Sequence, residues 1–157
     1  MKLILALNTL TNFADPSYDY LNKKKFCKEG KSFLKSLVHA LELPVGDYTI
    51  KYSEGGIGVP GDIILHSTHL YVTISHQGPV TGVMLMFRSC KGQKDFTGQA
   101  NHWIKLANLQ TAETQERWIQ TLKSMIAQAS NLSKENPAAA LTYSQAHLVS
   151  RVSTSPV

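Results

Sequence analysis

Between Arg88 and Lys105 the chain gathers side chains suited to holding a negatively charged ligand. Arg88, Lys91, Lys94, Asn101, His102 and Lys105 offer hydrogen-bond donors, while Phe96 and Trp103 offer flat apolar faces. Gly92 and Gly98 lie in the same segment, where glycine lets the backbone turn at positive φ or approach a partner closely. Cations and rings in alternation can track a phosphate backbone and stack on its bases, so this segment is expected to bind an anion, a nucleotide or single-stranded nucleic acid. The competing reading is a plain surface connection, with Phe96 and Trp103 tucked into the core and Lys91 and Lys94 solvated. The Gly92-to-Gly98 spacing is neither a phosphate loop nor a dinucleotide fingerprint, because no glycine-lysine-serine/threonine ending follows.

A second basic cluster precedes it. Lys23, Lys24, Lys25, Lys28, Lys31 and Lys35 stand against Glu29 alone between residues 22 and 36. Of these, Lys24, Lys28, Lys31 and Lys35 recur at helical spacing and line one side of a helix, as a phosphate-contacting patch or simply as a solvated face. A membrane-surface role is set aside, because that helix carries no bulky exposed anchors on its apolar side.

Other combinations are weaker. Cys90, His102 and Asp95 have the residue types of a nucleophile, base and orienting acid, which would make a small hydrolase, but all three fall within one connection. His66, His69, His76 and His102 with Cys90 raise the question of zinc; no paired ligand spacing supports it, and no metal or cofactor is expected. The glycine-rich run from Glu54 to Gly61 reads as a curved strand entry and not a phosphate cradle, since Glu54 and Asp62 flank it and no helix start follows.

Composition bounds the rest. With 157 residues, 43% hydrophobic and 17% charged, the chain suits one domain with one core, and its net charge of +5 is concentrated in the two clusters above. Two distant cysteines, Cys27 and Cys90, read as reduced thiols. The apolar stretch after Met1 is too short for a secretory signal and no stretch reaches membrane-spanning length, so a cytoplasmic protein without a membrane partner is expected.

The elements that must position these residues follow from periodicity. Residues 2 to 7 read as a first strand, and Asp15-Pro16 as a helix start. The stripe Phe33, Leu34, Leu37, Val38 and Leu41 predicts a helix that ends at Leu43-Pro44-Val45-Gly46, with a break or kink expected near Gly30. From Asp47 to Ser89 the period becomes two: Tyr48, Ile50 and Tyr52, then Ile57 and Val59, then Ile63 and Leu65, then Leu70, Val72 and Ile74, then Val83, Leu85 and Phe87. Met84, Met86 and Arg88 face the other way. A second helix starts near Thr111, with Trp118, Ile119, Leu122, Met125, Ile126 and Ala129 as its stripe.

This layout predicts a two-layer α+β domain over residues 1–129. An antiparallel meander of about four to five strands would carry an N-terminal and a C-terminal helix, with residues 130–157 as a weakly structured tail. The expected function is a small non-enzymatic accessory module that engages nucleic acid or a nucleotide through the Arg88-to-Lys105 segment. The alternative is a protein-binding or inhibitor module of the kind carried by phages and mobile elements, using a sheet edge or the Met84 and Met86 face to hold a host protein.

Overall fold

The computed structural model describes residues 2–97 and 99–135. It begins with a helix, α1 (Lys2–Thr11), where the short apolar run reads as a strand. Leucine and alanine are strong helix formers, and Leu3, Leu7 and Leu10 recur at four and three, which is a helical stripe too short to separate from alternation in sequence. Leu7 and Leu10 are buried, and α1 rests on α2 (Tyr20–Ala40).

The second helix starts later than Asp15-Pro16 suggests. Its cap is Asp19, whose carboxylate accepts from the Asn22 amide at 3.2 Å, while Asp15 closes a local turn by accepting from the Ser17 amide and hydroxyl. No break occurs at Gly30. An added Cβ there would lie 2.6 Å from Ile63 Cδ1, so glycine lets the helix pass close over the sheet at this point, and the helix runs on through it. At the far end the Leu43 amide reaches the Val38 carbonyl and the Glu42 amide reaches that of His39, with Glu42 at φ 56° in the position usually given to glycine.

Five antiparallel strands follow in chain order: β1 (Tyr48–Ser53), β2 (Asp62–Ser67), β3 (Leu70–His76), β4 (Val83–Ser89) and β5 (His102–Lys105). Ile57 and Val59 are not strand residues. They lie in the β1–β2 loop, which closes at Gly61 (φ 84°), where a Cβ would meet the Ser53 carbonyl oxygen at 2.8 Å. Thr68 and His69 make a two-residue hairpin, with the Ser67 hydroxyl accepting from the Leu70 amide at 2.9 Å. A single helical turn, α3 (Gly78–Thr81), joins β3 to β4.

Register decides which residues share a face. Tyr52, Ile63, Ile74, Leu85 and Ile104 form one cross-strand row, and Ile50, Leu65, Val72, Phe87 and His102 the next. This face receives the helices: Phe26, Phe33, Leu34 and Leu37 from α2, and Trp118, Ile119 and Leu122 from α4 (Ala112–Glu135). Phe33 stacks on Trp118 with ring centroids 6.4 Å apart, and Phe87 meets the same indole edge-on at 6.0 Å. The result is the expected two-layer α+β architecture.

The C-terminal helix begins where Thr111 predicts, through reciprocal bonds in which Thr111 Oγ1 accepts from the Thr114 amide (3.1 Å) and Thr114 Oγ1 from the Thr111 amide (3.3 Å). It continues to Glu135, so residues 130–135, read from sequence as tail, are its last turns. The remainder of that tail, 136–157, lies outside the described residues.

A candidate binding face on the open side of the sheet

The strand residues that point away from the helices form three rows. Thr49, His66, Tyr71 and Arg88 make the first, Lys51, Ile64, Thr73, Met86 and Trp103 the second, and Ser53, Asp62, Ser75, Met84 and Lys105 the third. None of these side chains belongs to the helix-packed core. Ile64, Met84 and Met86 are half-buried, Thr73 and Ser75 between them are buried, and the Trp103 indole is 55% exposed. An antiparallel sheet with one packed and one open face normally shows polar residues outward, so apolar and aromatic side chains here are the departure to be explained.

The connection between β4 and β5 folds over one end of this face, and Arg88 holds it there. Arg88 is only 4% exposed. Its Nη2 donates to the Phe96 carbonyl at 2.8 Å, and its guanidinium lies 4.4 Å from the centre of the Tyr71 ring. His66 completes the anchor, with Nε2 3.0 Å from the Gly92 carbonyl and its ring 5.0 Å from Tyr71 and 5.2 Å from Phe96. Burial pushes the His66 pKa down and the Arg88 and Lys51 charges add to this, while the Gly92 bond and Asp95 oppose it, so His66 sits neutral and donates to the carbonyl.

Asp95 organises the loop from within. Its carboxylate accepts from the Lys91 amide (2.9 Å), the Thr97 amide (3.2 Å) and the Thr97 hydroxyl (3.1 Å), and its own amide returns to the Gly92 carbonyl at 3.0 Å. Gln93 ties the loop to the Gly46 carbonyl, and the Gln99 amide to that of Ser89. These bonds hold the loop through the Lys91, Asp95, Thr97 and Gln99 amides and the Gly92 and Phe96 carbonyls. What it presents outward is side chains.

The sequence-derived site thus divides. Phe96, 71% exposed, with Lys91 and Lys94, projects from the loop, and Trp103 and Lys105 project from β5 on the open face. Asn101 is exposed just before β5. Two residues are corrected. Arg88 is a buried support and not a solvent-facing cation, because its guanidinium is held between the Phe96 carbonyl and the Tyr71 ring. His102 alternates to the helix-covered side, stacking on Phe87 at 5.4 Å, since a strand sends neighbouring residues to opposite faces. Lys51, Ile64 and Tyr71 complete the face but are invisible as a group in sequence, where only register brings them together.

The lysine ridge does not join this face. Phe26, Gly30, Phe33 and Leu37 turn α2 toward the sheet, which leaves Lys24, Lys28, Lys31 and Lys35 on the outer side of the helix layer. The two basic clusters occupy separate surfaces, so the ridge cannot assist a ligand on the open face.

A nucleophilic Cys90 fares worse still. Its thiol is buried, donates to the Ser67 carbonyl at 3.2 Å, and is pushed up to about 11, chiefly by burial. A catalytic cysteine needs the opposite shift. Among the described residues no three His, Cys, Asp or Glu side chains gather as a metal site would require, and no helix is long and apolar enough to cross a membrane. No family model, no curated protein and no solved structure matches this chain.

Proposed function

We propose that the chain is a non-enzymatic binding module whose open sheet face engages single-stranded nucleic acid. The carrying observation is the exposed Trp103 indole, at the β5 end of the row it shares with Met86, Thr73 and Ile64, with Lys105 two residues along the same strand and Lys51 at the far, β1 end of the row. A base has a π-face of either sequence to lay on an indole, and a phosphate every nucleotide to meet an ammonium group. Phe96 and Lys94 extend the same surface over the loop. Asp62 lies in the third row toward β1, so the β4–β5 side is the more favourable track for a polyanion.

Titration of a fluorescently labelled single-stranded oligonucleotide tests this. Lys105→Ala and Lys94→Ala are expected to weaken binding and to flatten the dependence of log affinity on log salt by about 0.7 for each lost phosphate contact. Arg88→Lys, which keeps the charge, is expected to weaken binding through the loop and not through the salt slope. Retention of the full wild-type salt slope in both lysine variants would remove the proposal.

A protein partner is the second reading, favoured by the half-buried Met84, Met86 and Ile64 and by β5, which pairs only with β4 among the described strands. Such a partner would stay bound through moderate salt.

A further inference from the structure

We infer that the N-terminal end of α2 and the β1–β2 loop form a second docking surface, fitted to an anionic phospholipid membrane. Ile57, at the tip of that loop, is 96% exposed, and Tyr18 is 85% exposed; Tyr20 and Leu21 are exposed beside them. Contacts between the segments make these one patch. The Tyr18 ring lies against Gly58, where an added Cβ would meet its hydroxyl at 3.1 Å; Lys23 Nζ donates to the Gly56 carbonyl at 3.2 Å; and Lys24 Nζ sits 4.6 Å from the Tyr20 ring centre.

From this patch the lysine ridge runs along α2, and no described carboxylate forms an ion pair with Lys24, Lys28, Lys31 or Lys35. The apolar stripe of α2 carries no exposed anchors of its own. The anchors come from outside that stripe, off the helix start and a neighbouring loop. Apolar tips that project singly from separate segments fit a fluid interface, which needs no complementary groove, and tyrosine is at home at its headgroup level. Lysines beside them meet the negative surface potential of anionic lipid. Lying on a membrane is a different matter from crossing one, and needs no long apolar helix. Glu54, Asp19 and Glu29 lie nearby and temper the attraction, so the docking is reversible and salt-sensitive.

The test is cosedimentation of the full chain with vesicles of phosphatidylcholine, with and without phosphatidylserine, at low salt. Binding is expected only to the mixed vesicles. Ile57→Asp, and Lys24→Glu with Lys28→Glu, should each bind roughly tenfold more weakly, since a lost apolar anchor or reversed charges remove one of the two signals. Both changes fall on exposed side chains, and urea unfolding will show the fold intact. Trp103→Ala should leave vesicle binding unchanged. The inference is overturned by absence of binding to the mixed vesicles, by an Ile57→Asp chain that binds like the parent, or by loss on Trp103→Ala. It is equally overturned if the lysine reversals abolish capture of a nucleic acid or protein and spare the vesicles.

Discussion

Arg88 shows how one residue's chemistry can be mistaken for another's. Its type and place, at the end of a strand before a glycine-bearing loop, suit a ligand contact, yet its guanidinium is spent on the Phe96 carbonyl and the Tyr71 ring. Removing it leaves that carbonyl and ring without their partner, so Arg88→Ala is expected to cost about 2 kcal/mol in urea unfolding, whereas Lys94→Ala should stay within about 0.5 kcal/mol. The neighbouring His66 adds a pH dependence whose direction is fixed. Its pKa is lowered in the folded chain, so on acidification the unfolded chain takes up the proton first, and stability is lost as pH falls below the ordinary histidine value of 6.5. His69, also lowered by burial, acts in the same direction. Urea midpoints measured from pH 7 to pH 5 should fall less in His66→Asn than in the parent, apart from any uniform offset. Cys90 acts at the other end: its folded thiol titrates at about 11 against 9.0, so stability should decline as pH rises between those values, and thiol reagents at neutral pH should label it only on unfolding.

At the scale of elements, the close approach of α2 to β2 rests on Gly30. Alanine would favour the helix by about 1 kcal/mol, but its Cβ would press on Ile63 Cδ1 in a filled core, where overpacking costs about 1 to 3 kcal/mol. Gly30→Ala is therefore expected to lower stability on balance, and Ile63→Val in the same chain to recover part of that loss; simple additivity in a double-mutant cycle would contradict the contact. The same elements show what periodicity can and cannot reveal. The stripes Phe33 to Leu41 and Trp118 to Ile126 are long enough to declare a helix, and the alternation in β3 and β4 is long enough to declare strands. The run Leu3 to Leu7 is shorter than two helical turns, which is why helix and strand look alike there. β5 has four residues and takes its identity from pairing with β4, a long-range fact absent from its own sequence. Gly30 reads locally as a helix weakness, because the side chain it makes room for lies on another element.

Across the whole molecule, helices on one side of the sheet divide the basic residues between two surfaces. Composition shows the clusters but not the sheet between them, so the candidate site was legible as a segment and not as a face: Trp103 and Lys105 carry over, His102 turns away, and Lys51, Ile64 and Tyr71 enter only through register. Among the strand aromatics of the open face, Trp103 is the most exposed. The most direct measurement is the affinity of a single-stranded oligonucleotide for the parent chain and for Trp103→Ala at low salt. The substitution is expected to weaken binding by about 1 to 3 kcal/mol, with stability unchanged within about 0.5 kcal/mol. Equal affinity in the two chains, or no binding by the parent, would contradict it.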